Sequence, residues 1–306
     1  MSMRINKLLV TLTFSLLFSN AVAADYDSAY ETYTLKDYKA AFKEMLPYAQ
    51  EGHVDAQFYV ADMYKFGKGV TQNHEAAANW YTLSAEQGDQ YAQAVLGGIY
   101  VDGLGVIENY KTAVKWYTKA AEQGLSIAQY YLGNMYANGE GVLENDKTAV
   151  KWYTKAAEQG HVAAQAHLGY LYDLGEGVLE NDKTAVKWYT KAAEQGRAAA
   201  QYNLGNMYAN GMGVLENDKT AVKWSTKAAE QGHAAAQTNL GFMYDNGMGV
   251  LTDTKRAYMW FNIAAYNSHD LGAENKSKVG KNMTPTQIDT AQEMSSRCLA
   301  SDYKDC

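Results

Sequence analysis

One fourteen-residue stretch, KTAVKWYTKAAEQG, occurs letter for letter at Lys111–Gly124, Lys147–Gly160 and Lys183–Gly196. It returns at Lys219–Gly232 with Ser225 in place of a tyrosine. A tryptophan holds the same place in six successive segments, Trp80, Trp116, Trp152, Trp188, Trp224 and Trp260, each 36 residues after the last. A fixed period of this length implies a stack of supersecondary units. At 306 residues one or two globular domains would be the default. An array overrides that default, because it has no single core that must stop growing.

Asn145–Glu180 serves as the type repeat. Asn145 suits an N-cap, and Asn73, Asn109, Asn181, Asn217 and Asp253 hold the same place elsewhere. Ala149, Trp152, Tyr153, Ala156 and Ala157 then fall at i, i+3, i+4, i+7 and i+8, one face of an amphipathic helix, here helix A. Gly160 is its expected left-handed cap. Ala164, Leu168, Gly169 and Tyr172 mark a second one-faced helix, helix B, ended by Gly175. A mid-helix glycine costs about 1 kcal/mol against alanine. Its recurrence at Gly97, Gly133, Gly205 and Gly241 predicts a close approach, with alanines of helix A against the glycine of helix B and Trp and Tyr filling the wider spaces. Gly175-x-Gly177-Val178 turns the chain into the next unit, and Val178 is expected to plug the core between repeats. Two short antiparallel helices cannot bury their apolar faces alone, so the fold class is all-α, an α-solenoid of stacked helix-turn-helix repeats.

The ends depart from the pattern, as capping units do. Arg4 and Lys7, the apolar run Leu8–Phe18 and the small-x-small site Ala21-Val22-Ala23 read as a secretory signal peptide over residues 1–23, with an N-terminal anchor as the alternative. Residues 24–36 are expected to cap the array. The repeats occupy residues 37–282 in about seven units, the first with Glu44 at the tryptophan position and Pro47 inside helix A. Residues 283–306 form a last helix, opened by the capping box Thr284-Pro285-Thr286-Gln287, and a tail. The two cysteines, Cys298 and Cys306, are expected to pair in an oxidising compartment and pin that tail. Without its first 23 residues the chain carries 25 basic and 34 acidic residues, net −9, which disfavours nucleic acid as a partner.

The pattern Ala-x-x-Trp-Tyr-x-x-Ala-Ala-Glu-Gln-Gly, then Ala-Gln-x-x-Leu-Gly-x-x-Tyr, then Gly-x-Gly-Val runs here from Ala149 through Trp152-Tyr153 and Gly160, Ala164-Gln165, Leu168-Gly169 and Tyr172 to Gly175 and Val178. It closely resembles the Sel1-like repeat, a relative of the tetratricopeptide repeat, over about residues 37–270. The resemblance implies a right-handed superhelix of helix pairs and a role in binding other proteins, as in bacterial exported or periplasmic adaptors. A cysteine-rich subfamily with a disulfide in each repeat has members linked to β-lactam binding or hydrolysis. No repeat here contains a cysteine, so that activity carries over poorly.

No residue constellation asks for a cofactor or metal. His53, His161 and His233 share one slot after the helix A glycine, which favours a turn role over ligation. Ser301-Asp302-Tyr303-Lys304 fits a Ser-x-x-Lys nucleophile pattern, but it lies in the tail without the accompanying motifs. Two surface features are candidates for partner binding. Lys115, Lys151, Lys187 and Lys223 sit at the centre of recurring triplets, Lys147/151/155 and their copies, on the side of helix A away from its apolar face. If helix A lines the inner surface, twelve lysines form a ladder there, suited to an acidic partner segment. Helix B varies between copies at Tyr130, Tyr131, Tyr170, Tyr202 and Phe242, and aromatic residues make good interface anchors.

The expected function is therefore a non-catalytic scaffold or adaptor of the bacterial cell envelope. It is exported and periplasmic, with secretion as the alternative. It is monomeric, has no transmembrane span once processed, and binds a protein partner such as an acidic segment of an envelope or signalling protein. The alternatives are an envelope hydrolase of the β-lactamase or penicillin-binding kind, and a peptidoglycan or glycan binder using exposed Tyr and Trp.

Overall fold

The structure is a computed structural model and describes residues 26–306; the expected signal peptide at residues 1–23 lies outside the described residues. Among the described residues there are sixteen helices and no strand. Helix α1 covers residues 26–34. It is followed by α2 (Tyr38–Gln50), α3 (Val54–Phe66), α4 (His74–Glu86), α5 (Gln90–Asp102), α6 (Tyr110–Glu122) and α7 (Ser126–Asn138). Then come α8 (Asp146–Glu158), α9 (Val162–Leu174), α10 (Asp182–Glu194), α11 (Ala198–Asn210), α12 (Asp218–Ala229) and α13 (Ala234–Asn246). The last three are α14 (Thr254–Tyr266), α15 (Asp270–Gly280) and α16 (Pro285–Ala300). From α2 to α15 the even-numbered helices are A helices and the odd-numbered ones B helices. The chain divides at a repeat boundary into two compact units, one ending at Glu144 and one starting at Asn145.

The caps form as the side chains dictate. Asn73, Asn109, Asn145, Asn181 and Asn217 each accept a hydrogen bond from the backbone N–H three residues on, at 2.9–3.0 Å. The histidines of the shared slot cap the B helices. Nδ1 of His53, His161 and His233 accepts the N–H of Ala56, Ala164 and Ala236, each at 3.3 Å.

The close approach at the mid-helix glycines differs from the sequence expectation. Its partner is not an alanine of helix A but the aromatic ring of the next helix A. A Cβ on Gly97 would meet the Tyr117 ring at 2.7 Å, and one on Gly241 would meet the Phe261 ring at 2.6 Å. Each glycine is a socket for a ring. Where Ser225 replaces the tyrosine, Gly205 faces the Ser225 hydroxyl and the Ala221 carbonyl in place of a ring. In consequence a helix B packs more closely on the following helix A than on its own. The second glycine of each turn has a different task. Gly177, at φ +69°, lies on the backbone of Asp146, where a Cβ would fall 2.7 Å from the Asp146 carbonyl carbon. Tryptophans join neighbouring repeats: Trp116 belongs to the core built by α3, α4 and α5, and Trp224 packs on that of α10 and α11.

A buried amide ladder crosses the same junctions. Gln57, Gln93, Gln165, Gln201 and Gln237 are buried on the B helices. Each donates through Nε2 to a carbonyl near the end of the preceding helix A, those of Ala49, Ala85, Ala157, Ala193 and Ala229, at 3.0–3.1 Å. Each accepts through Oε1 from a side-chain amide 30 residues later, Gln87, Gln123, Gln195, Gln231 and Asn267, at 2.7–2.9 Å. The glutamine thus ties its own helix A and the next one to the same helix B.

Both ends are clamped. In the first unit Asp62 accepts from Tyr33 of α1 at 2.7 Å and pairs with Lys68 at 2.9 Å, while Tyr26 stacks on His53 with ring centres 4.1 Å apart. In the second unit α16 opens with the Thr284–Gln287 capping box and packs along α14. Cys298, fully buried beside Met259 and Trp260, is bonded to Cys306, and Tyr303 of the tail donates to Asn267 at 3.1 Å.

Two outcomes follow. Gln201→Leu leaves the Ala193 carbonyl and the Gln231 amide each short of a partner, and should cost about 1–2 kcal/mol in urea unfolding. Burial holds the pKa of His161 and His233 below the ordinary 6.5. Below that pH the unfolded chain binds protons that the folded caps refuse, so stability is full above pH 6.5 and falls on acidification until the folded histidines titrate. The melting temperature should therefore drop between pH 7.5 and 5.5. The drop should shrink in a His161→Asn/His233→Asn variant, whose caps do not titrate.

Candidate partner-binding surfaces

The twelve lysines of the A helices in the KTAVKW copies are all exposed. They do not simply point away from the apolar face, as the sequence suggested. Lys119, Lys155, Lys191 and Lys227 fold back over Trp116, Trp152, Trp188 and Trp224, with Nζ 4.4–5.1 Å from the ring centre. Lys115, Lys187 and Lys223 lie at 5.6–5.9 Å from theirs. Lys151 has no such contact among the described residues and stays in solvent. The ion pairs among the described residues are Lys68–Asp62, Arg256–Asp253, Lys278–Glu274 and Arg297–Asp305, so none of the twelve is neutralised by a carboxylate.

Lys111, Lys115 and Lys119 do not line the cavity of the first unit. In the first unit the main cavity, about 590 Å³, is bounded by the B helices α3, α5 and α7. In this unit the inner wall comes from the B helices, with Tyr117 of α6 reaching in between them, and not from the lysine side of helix A. Within the second unit, too, α9 touches α11 and α13 touches α15.

The variable aromatic residues have unequal surroundings. Tyr131 is exposed, lines the cavity and stacks on Tyr117 with ring centres 5.4 Å apart. Tyr130 is half-buried against Tyr131. Tyr170 is exposed on α9. Phe242 is exposed but meets Phe261 edge-on at 5.2 Å. Tyr202 is half-buried, packs on the core next to it and stacks on His233 at 4.8 Å, so its ring is committed to the junction between repeats.

Sequence reasoning missed the residues that open the cavity. Gly98 stands where later copies carry Asn134, Tyr170, Asn206 and Phe242, and the missing side chain leaves room. Tyr91 and Ile127 supply apolar walls where Ala163, Ala199 and Ala235 stand in the second unit. The signal was present in the differences between copies, but only three-dimensional register shows that they meet. Burial, with Tyr131 and Asp102 nearby, pushes the Tyr117 hydroxyl far above its ordinary pKa, so it faces the cavity as a neutral phenol.

Other candidates are taken up by structure. The Ser301 hydroxyl donates to the Cys298 carbonyl and accepts the Asp305 N–H, both at 2.9 Å, which makes the Ser-x-x-Lys segment a tail turn. Trp116, Trp188 and Trp260 are buried, and Trp80, Trp152 and Trp224 are half-buried, so the exposed tryptophans that a glycan binder was expected to offer are not there. Among the described residues no group of three His, Cys, Asp or Glu could hold a metal ion. No described helix is long and apolar enough to cross a membrane.

The geometry of paired helices, ring sockets and glycine turns has close counterparts. A protective antigen present in uropathogenic Escherichia coli strains, displaying an SLR fold, is 38% identical with a TM-score of 0.82. The match covers 92% of this chain, which spans 62% of that protein's length. A Sel1 repeat protein from Oxalobacter formigenes is 34% identical with a TM-score of 0.69, over 78% of this chain and 96% of that one. No curated protein matches the chain with significant similarity. Six Sel1 repeats are matched, at residues 54–89, 90–125, 126–161, 162–196, 198–233 and 234–269. These units run from each helix B through the next helix A. The chain is an α-solenoid and belongs to the Sel1 repeat family, whose repeats generally serve as protein-interaction scaffolds.

Proposed function

We propose that this chain is a non-catalytic scaffold of the bacterial cell envelope, exported to the periplasm as a monomer, and that it seats a protein partner on the B-helix face of its first unit. The observation that carries this reading is the 590 Å³ cavity, where Tyr91, Ile127 and Tyr131 stand exposed in a fold that elsewhere places alanines or polar residues in those registers. Large apolar side chains kept in solvent along a concave face are what a docking groove requires. Export is supported by the Cys298–Cys306 disulfide and by the likeness to a protective antigen of Escherichia coli.

A second reading has its own observation. Nine exposed lysines of α8, α10 and α12 have no carboxylate partner among the described ion pairs, a surface suited to an acidic segment.

One experiment separates the two. A photocrosslinking residue at position 127 should yield a discrete protein adduct in cells, and Gly98→Tyr should remove it. Equal adducts from position 215, on an inter-repeat loop, would sink the groove reading. Loss of the adduct in Lys151→Glu/Lys187→Glu/Lys223→Glu, with Gly98→Tyr harmless, would move the site to the lysine rows.

A further inference from the structure

The cavity of the first unit does not end at Tyr91. A second depression of about 290 Å³ shares Phe58 and Tyr91 with it and continues toward α1 along Tyr26, Tyr30 and Tyr59. The combined cleft crosses three B helices. At ~10 Å between neighbouring helices it is about 20 Å long, the span of about six residues of extended chain. Its walls are aromatic and aliphatic.

Its rim is mostly acidic. Asp55 and Asp89 border the smaller depression, Asp102 and Glu140 the larger, and Lys65 is the one basic residue lining either. None of the four carboxylates belongs to an ion pair among the described residues. The charge of the chain is divided in the same sense. Residues 24–144 hold 16 acidic and 8 basic residues, net −8, whereas residues 145–306 hold 18 and 17, net −1. The lysine-rich face of the second unit and the acidic cleft of the first therefore ask for different ligands.

We infer that the cleft takes a basic peptide segment of about six residues, with lysine or arginine side chains alternating with apolar ones. This rests on the cleft being the partner site proposed above. Apolar side chains would fill the space over Gly98 between Ile127 and Tyr131. Cationic side chains would reach the unpaired carboxylates at the rim and lie over tyrosine faces, where a cation is attracted to the ring. The cleft's length favours a peptide over a small amine, which would meet one carboxylate and leave most of the aromatic wall in water.

The test uses the purified protein and three fluorescent seven-residue peptides in which leucine and phenylalanine alternate with lysine, glutamate or serine. The lysine peptide should bind at least tenfold tighter than the glutamate peptide at low salt, and the gap should narrow as salt rises. Asp102→Asn/Glu140→Gln should weaken the lysine peptide at least threefold and leave the serine peptide unchanged. Gly98→Tyr should abolish binding of all three. The fold tolerates tyrosine in this register at Tyr170, and a Cβ on Gly98 meets only the Tyr117 hydroxyl, at 3.4 Å, so this variant should melt no lower than the parent. Equal or tighter binding of the glutamate peptide, lost in Gly98→Tyr, would overturn the basic partner and leave the groove standing. Binding of no peptide, or binding indifferent to Gly98→Tyr, would overturn both. Displacement of the lysine peptide by free lysine amide as readily as by unlabelled peptide would assign a small amine and overturn the peptide.

Discussion

A buried glutamine bonded on both sides is the constraint on which the stacking depends. Apolar burial alone would let one helix pair slide or rotate on the next, because alanine and aromatic surfaces tolerate many registers. The amide does not. Gln165 needs the Ala157 carbonyl on one side and the Gln195 amide on the other, and both requirements are met only at one offset between repeats. A buried amide left unpaired costs more than a paired one contributes, so the ladder penalises wrong registers more than it rewards the right one. The ring sockets act in the same direction, since the Tyr189 ring fits over Gly169 and not over a neighbour that carries a Cβ.

This arrangement explains which positions differ between copies. Alanine, tryptophan, glycine and glutamine recur because every junction needs them equally. Positions that the sockets and the amide ladder do not use are released from that requirement, and on helix B one of them has diverged: glycine at 98, asparagine at 134, tyrosine at 170, phenylalanine at 242. The cleft of the first unit is the product of that freedom. Gly98 and Tyr91 are not required by the junctions, and of the four rim carboxylates only Asp89 is used as a helix cap, accepting the Ala92 N–H at the start of α5. The lysines of helix A are less free than they look, because several spend their stems and charges on the tryptophan beneath them.

The single departure inside the repeated stretch shows how local the rules are. Ser225 removes a ring from its socket, and Gly205 of α11 meets the Ser225 hydroxyl and the Ala221 carbonyl of α12 there instead. The Ser225 hydroxyl ends up buried without a hydrogen-bond partner. The stack thus carries the loss of an anchor at one junction, at the cost of one buried polar atom without a partner.

Much of the fold was legible in the sequence. The 36-residue period, the asparagine caps and the helix-ending glycines are local signals, set by backbone chemistry within a few residues, and they define the helices and their order. The capping box at Thr284 is of the same kind. What touches what across a junction was not legible. The sequence determined that most repeats have a glycine in helix B and an aromatic ring in helix A; only the tertiary structure decided that a ring of the next repeat, not an alanine, meets the glycine. It likewise decided that the B helices line the concavity of the first unit, so that the lysine rows and the cleft lie on different helices. The physical reason is that caps and periodicity act along the chain, whereas the inward face is chosen by which side chains can interlock between repeats.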